Sequence, residues 1–578
     1  MGRPFWIPGL LVLAVAVADA AAETVNADPS NYRSVLGSLE PGDTMVLAPG
    51  DYADGFTISG LHGTADNWIT IRGPATGPVA RILGRSCCNT VEIRSGSYFA
   101  LENVTIDGQD IDGIFAVSAS GSPCHHVRIE NCTIVGHGAH QATVAISTKV
   151  TTWGWVIRRN RIVAPGTGMY LGNSNGAYPF IGGLIEHNLF LDAKGYNCQI
   201  KHQPTRDASI PGIPTTPQRT IIRHNVFIKG ELPNESGARP NLLIGDLPPS
   251  GLGSEDTYEI YGNVFYHNHR ESLIQAEGRV SIHDNVFLDC TGAAIYLGDH
   301  NGTLRRAYVY NNTFYGVDRA VHFGDPARED HLVVLNLMFS DSGVGGSVTR
   351  VSDNIHDTVA NAGNYVKNPS LVLGEMDFYP LAGECTGPAL DLSALAGETD
   401  YDRDFNGDDK GTFIYRGAYA GSGTNPGWQI DDGIKGEVPA DPGDDTTPPT
   451  GTVRIAGGQA LTRSLVVDLD LSATDSGSGM GAGARMRFSN DGVTWSLPEP
   501  FAAQRLSWDL SGHGGTTLPG TKTVYAQLSD AAGNWTDTPV TDSIEYEIPP
   551  AEPGGGGAAG LEILFVAGLL LLGRKSER

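Results

Sequence analysis

Ile157-Arg158-Arg159-Asn160-Arg161-Ile162 and Ile185-Glu186-His187-Asn188-Leu189-Phe190 are two copies of one pattern, apolar-x-x-Asn-x-(Ile/Phe). The pattern returns at Ile222 to Phe227, Ile260 to Phe265, Ile282 to Phe287 and Val309 to Phe314. Asn160, Asn188, Asn225, Asn263, Asn285 and Asn312 therefore form one column, which Val104 and Cys132 extend upstream and Leu337 downstream. Short strands of a second kind fall between the copies: Val144-Ala145-Ile146, Met169-Tyr170-Leu171, Cys198-Gln199-Ile200, Leu242-Leu243-Ile244, Leu273-Ile274-Gln275, Ile295-Tyr296-Leu297 and Val321-His322-Phe323. They alternate with period two, and no stretch between them has a helical period. A repeat of this length without helices predicts a coil of stacked parallel strands, with equivalent residues about 4.8 Å apart. In such a stack the Asn column is an amide ladder, which makes it scaffold rather than chemistry.

The composition agrees. Glycine accounts for 75 of 578 residues, and 39 basic against 65 acidic residues leave a net charge of −26. That charge repels phosphate backbones and argues against nucleic acid as a partner. Seven cysteines are too few for a disulfide scaffold; Cys87-Cys88 and Cys124 are candidates for one bridge, while Cys132 and Cys198 read as apolar filler.

Both ends read as addresses. Residues 1–22 carry Arg3, the apolar run Gly9 to Ala18, and the small-x-small sites Ala18-Asp19-Ala20 and Ala20-Ala21-Ala22, which together form an export signal. Residues 549–578 contain Gly554 to Gly557, an apolar run from Ala558 to Gly573, and Arg574-Lys575. That run spans about 24 Å as a helix, short of a hydrocarbon core of about 30 Å. The tail resembles the GlyGly-type sorting tails of Gram-negative bacteria. This implies a cell-surface, outer-membrane or secreted protein, a processing protease as partner, and transient membrane contact through the tail. A marginal inner-membrane anchor is the alternative, and it too leaves the body outside.

The opening, Pro41-Gly42-Asp43-Thr44-Met45-Val46-Leu47-Ala48-Pro49-Gly50-Asp51-Tyr52 and then Gly63 to Ile71, with the repeats after it, resembles the right-handed parallel β-helix superfamily of pectate lyases, chondroitinase B and alginate lyases. The fold implied is all-β: a parallel β-helix over 23–430, an acidic linker over 431–447, and a β-sandwich over 448–548. The last resembles bacterial immunoglobulin-like modules, with Asp475, Trp495, Trp508 and Asp530 to Asn534 in matching places. As a module it reads as a spacer, with carbohydrate binding the lesser alternative. The superfamily hosts lyases, hydrolases and inert adhesins alike.

Stacking makes an odd residue visible. The position following the second kind of strand reads Gly172, Lys201, Gly245, Ala276, Gly298, Gly324, where Lys201 is the one large side chain. The next position reads Asn173, His202, Asp246, Glu277, Asp299, Asp325. Four stacked carboxylates repel unless bridged, so Asp246, Glu277 and Asp299 are candidate calcium ligands; the plainer reading is turn closure through backbone N–H bonds. Asp402, Asp404 and Asn406 have half the spacing of a calcium loop, with Phe413 where its glutamate belongs. Those residues suit either a structural ion or an acidic loop without one.

Two coils are about ten residues longer than the rest, and their surplus in 203–218, 229–240 and 246–257 predicts walls beside Lys201. Arg206 and Arg239 lie there, and His267-Asn268-His269-Arg270 follows. Uronate elimination needs a neutralised carboxylate and a base for the neighbouring proton. Lys201, His202, Arg239 and Arg270 are the candidate catalytic residues, and Arg206, Tyr170, Tyr296, His267 and His269 the candidate substrate contacts.

In the chondroitinase B and alginate lyase families a Lys follows an Asn-Leu-Phe…Gly-Glu segment. Asn188-Leu189-Phe190, Gly195 and Lys201 are similar, with Tyr196 in place of Glu and Lys201 slightly early. Their Arg-His pair does not carry over, because Arg223-His224 sits on the other kind of strand. Three functions remain open: a lyase on an acidic polysaccharide, a surface adhesin or glycan binder without turnover, and a glycoside hydrolase with paired carboxylates from Asp246, Glu277 and Asp299.

Overall fold

The computed structural model describes residues 22–548, apart from 174–175, 233, 437–444, 446, 476–478, 481–483 and 531. The export signal (except Ala22), the sorting tail from 549 and most of the 431–447 linker lie outside the described residues. The chain divides into two compact units, Met1–Val438 and Pro439–Arg578.

The first unit is a parallel β-helix. Each coil contributes strands to three faces, and strands of successive coils pair in parallel, as Val156–Arg158 does with Leu184–Glu186 and Met169 to Leu171 with Cys198–Ile200. The lumen is filled by inward-facing apolar residues. Phe190, Phe227, Phe265, Phe287 and Phe314 stack with ring centroids 4.8, 4.8, 5.1 and 4.9 Å apart.

The Asn column marks the corner between two faces. The residue before each Asn is left-handed: Arg159, His187, His224, Asp284 and Asn311 have φ between 50° and 56°, and Gly262 has 65°. Such a conformation costs a non-glycine residue about 1–2 kcal/mol. The ladder offsets it. Asn188 Nδ2 donates to Ile157 O at 2.8 Å and to Asn225 Oδ1 at 3.0 Å, and the backbone N–H of Asn188 donates to the same oxygen at 2.9 Å. The same bonds link Asn160, Asn188, Asn225, Asn263, Asn285 and Asn312 in turn. Downstream the ladder continues through Asn336 and Asn354, one residue before the expected Leu337. Leu337 pairs instead with Thr313, one position past the corner.

Two of the three faces gain cover from outside. After the last coil the chain turns back, and Met376, Phe378, Tyr419 and Ile430 pack on the outward Leu189, Val226, Val264 and Val286. Two buried lysines pin this return segment: Lys410 Nζ lies 2.6 Å from Asp284 Oδ2, and Lys435 Nζ donates to Gly262 O and Phe405 O at 2.8 and 2.7 Å. Lys435, inside the stretch expected as linker, is thus part of the cover.

The second unit is a small β-sandwich. Thr450–Ile455, Val466–Thr474 and Gln504–Asp509 form one sheet, and Leu461–Thr462, Val540–Tyr546, Gly520–Ser529, Arg485–Ser489 and Glu499–Pro500 the other. Leu469, Phe488, Trp508, Val524 and Ile544 are buried in its core.

Candidate functional site

The face built from Val144–Thr148, Thr167–Leu171, Cys198–Ile200, Leu242–Ile244, Ile274–Ala276 and the end of Val286–Leu297 carries two adjoining clefts. Its outward residues pair coil to coil as Ser147, Tyr170, Gln199, Leu243, Gln275, Tyr296 and His322. Gln199 is buried on this floor, and its Oε1 finds no hydrogen-bond partner.

The first cleft, about 410 Å³ and open to solvent, is lined by Lys201, His202, Gln275, Glu277, Tyr296 and His300 among others. The second, about 860 Å³, is lined by Phe115, Lys149, Tyr170, Tyr196, Ser236 and Arg239 among others, with no carboxylate among the described residues. They meet at Gly172, where a Cβ would lie 3.3 Å from Lys201 Cβ. Gly245, on the other side, has no such room: a Cβ there would come within 2.2 Å of the His202 backbone nitrogen.

Lys149 shares this file. Ser147 pairs with Tyr170, so two positions further on Lys149 stands beside Gly172, two coils from Lys201 and about 10 Å away along the stack. Its ammonium lies 4.1 Å from the Phe115 ring centre. Burial pulls its pKa down, and Glu92 opposes that. Arg239 stacks 5.7 Å from the Tyr196 ring centre. Burial raises the phenols of Tyr170 and Tyr196, which keeps both neutral as platforms beside the cations. The file start at Gly172 hid Lys149, which lies three residues beyond the strand Val144 to Ile146.

The acidic file does not form as expected. Ala276 pairs with Ile244 and Leu297 on the inward side, so Glu277, not Ala276, follows in the Lys201 file, and Gly278 interrupts Asp246 and Asp299. Each carboxylate closes a turn. Glu277 Oε1 accepts the N–H groups of His300, Asn301 and Gly302 at 2.6, 2.6 and 3.2 Å. Asp246 accepts from Leu247 N at 2.7 Å and lies 3.5 Å from Arg305 Nε. Asp299 accepts from Leu304 N at 2.8 Å and Arg328 Nη2 at 2.7 Å. Carboxylates spent on backbone donors and arginines do not fit a shared calcium ion.

In the 402–408 loop Asp404 is likewise held by backbone donors. Asp404 Oδ1 accepts from Asn406 N and Asp408 N at 2.8 and 2.9 Å, and its Oδ2 from Ala420 N at 2.8 Å. Asn406 Nδ2 donates to Asn425 at 3.1 Å, and Asp402 supplies its backbone oxygen to Lys410 N. Burial pushes the Asp404 carboxyl up to about 6.

Other expected contacts lie elsewhere. Arg206 is buried: it donates to Pro214 O and Thr216 O at 2.9 and 3.0 Å and pairs with Asp256, clamping two inserted loops together. Arg270 is exposed outside both clefts. His267 and His269 join Asp289 and Glu231 in a separate cluster. Cys87, Cys88 and Cys124 are free, the first two exposed.

Beneath Arg239, Lys229 Nζ donates to its carbonyl at 2.5 Å. Burial pulls the Lys229 pKa down to about 7, against the pull of Glu271. Between about pH 7 and the ordinary lysine value of about 10.4 the unfolded chain binds the extra proton, so stability rises with pH across that window. Lys229→Met should gain most over the native chain near pH 6, by about 3–5 kcal/mol, and the gain should shrink toward pH 10. Denaturant unfolding at both pH values checks this; a pH-independent difference contradicts it.

No family model and no curated protein matches the sequence. Among solved structures, an alginate lyase from Paenibacillus sp. str. FPU-7 is 16% identical, with 58% of this chain covering 98% of that one at a TM-score of 0.31. Pectate lyase Pel9A is 12% identical over 65% of this chain and 93% of its own, at 0.39. A lacto-N-biosidase from Eubacterium ramulus is 11% identical over 57% and 68%, at 0.35. The likeness lies in the coil architecture, which the strand pairing establishes by itself.

Proposed function

We propose that the chain is an exported polysaccharide lyase acting on an acidic polymer, with its sandwich serving as an immunoglobulin-like spacer and its tail as a sorting signal. One observation carries the reading: on a chain of net charge −26, the second cleft and its junction with the first present Lys149, Arg239 and Lys201 beside Tyr170 and Tyr196, with no carboxylate in the second cleft's lining. Cations selected against the overall charge, next to ring faces, suit a chain of uronates.

In the elimination, the C5 proton of a uronate passes to a base, the C4–O bond breaks, a C4–C5 double bond forms, and the departing oxygen takes a proton. In this reading Lys201, at the junction, takes the C5 proton. Lys149 and Arg239 hold carboxylates on adjacent sugars, and Tyr170 and Tyr296 supply the floor. A glycoside hydrolase needs two free carboxyls facing one substrate. Among the described residues Glu277 is the one carboxylate that lines either cleft, and its Oε1 is taken.

The test is a panel of alginate, pectate and glycosaminoglycans followed by the ultraviolet absorbance of unsaturated products. Product from one polymer supports the reading. Affinity without product overturns the lyase reading and makes the chain a glycan binder; the absence of both product and affinity overturns the carbohydrate reading altogether.

A further inference from the structure

Outside the clefts, two imidazoles and two carboxylates meet at the root of the 229–240 insertion. Asp289 accepts from both rings, its Oδ2 2.6 Å from His267 Nδ1 and its Oδ1 2.8 Å from His269 Nε2. A carboxylate that holds one N–H of each ring fixes the orientation of both and leaves the opposite nitrogens to ligate a metal once their protons are displaced. Those nitrogens, His267 Nε2 and His269 Nδ1, point at one oxygen, Glu231 Oε1, at 2.8 and 3.4 Å. All three atoms lie within 4.8 Å of one another. Ligands at about 2.0–2.1 Å around a tetrahedral zinc stand about 3.3 Å apart, and the two N···O separations, 2.8 and 3.4 Å, fall on either side of that spacing.

We propose that Glu231, His267 and His269 form a binding site for a zinc-class divalent cation, with Asp289 as the positioning residue for both imidazoles. Two nitrogens among three ligands favour zinc over calcium or magnesium. Asp289 and His267 are mostly buried, at 18% and 14% side-chain exposure, whereas Glu231 is 67% exposed, so the metal would keep an open side. Its effect is mechanical. Glu231 starts the loop that carries Ser236 and Arg239 to the second cleft, and the metal ties that start to the scaffold strand bearing His267.

The test is zinc titration of the whole chain by calorimetry near neutral pH, with Cys87→Ser and Cys88→Ser removing the exposed thiols and excess calcium occupying all-oxygen sites. The expected result is one zinc per chain, weakened about tenfold or more by His269→Ala and by Glu231→Gln. Both side chains are exposed, so the fold should survive, and a thermal melt checks it. Asp289→Asn should weaken zinc binding by about 10–100-fold and shift the visible spectrum of the cobalt-substituted protein. Absence of zinc uptake, or uptake unchanged by His269→Ala and Glu231→Gln, overturns the proposal and leaves a cluster held by protons alone.

Discussion

Asn225→Ala should destabilise the β-helix by about 3–6 kcal/mol, a large part of the roughly 5–15 kcal/mol that holds a typical domain together. Asn225 is fully buried. Its Oδ1 takes the backbone N–H and the amide of Asn188 at 2.9 and 3.0 Å, and its Nδ2 donates to Ile185 O at 2.8 Å and Asn263 Oδ1 at 3.0 Å. Alanine leaves the Asn188 N–H and the Ile185 carbonyl without those partners, where water does not reach, and each orphaned group costs about 1–3 kcal/mol. The left-handed corner at His224 also loses its brace. Asn354→Ala, at the part-buried end of the ladder, should cost about 1 kcal/mol. Denaturant unfolding of the two variants gives the comparison; equal, small losses would show that the ladder carries no special share of the stability.

In the proposed elimination, Lys201→Ala should lower turnover by about 10²–10⁴-fold, the usual share of a positioned proton acceptor. Its side chain faces outward at the cleft junction beside Gly172, not into the lumen, so the melting temperature should stay near that of the native chain. Lys149→Ala and Arg239→Ala should act mainly through KM, because a charge that holds a carboxylate in both ground and transition states lowers both alike. Undiminished product from Lys201→Ala removes this lysine from the chemistry and moves attention to Lys149.

Much of the architecture could be read in advance because its columns consist of unlike residues. An Asn recurring between apolar neighbours has one register, and the structure kept it from Asn160 to Asn312. The file slipped at Leu273-Ile274, two adjacent apolar residues that are both fully buried. Period-two reading admits either as the inward one, and the choice of Leu273 moved Glu277 by one place. The downstream end slipped at Leu337 for the same reason, an apolar residue beside the true Asn336. The site was half legible. Lys201 stood out against glycines, but Lys149 lay past the end of its strand, and the cluster of Glu231 with His267 and His269 joins residues 36 and 38 positions apart through a loop. The burial that spends Arg206 on Pro214, Thr216 and Asp256 depends on how inserted loops fold, which periodicity does not encode.

The corner amides also act as a ruler. Because each Asn meets the next through identical bonds whether the intervening stretch has 28, 37, 38 or 22 residues, the coil counts turns and ignores their perimeter. Duplicating or excising one turn between successive amides preserves every rung, so the length of the face that carries the clefts can change in whole steps during evolution. Loops can meanwhile grow from any rim without altering the pitch beneath them.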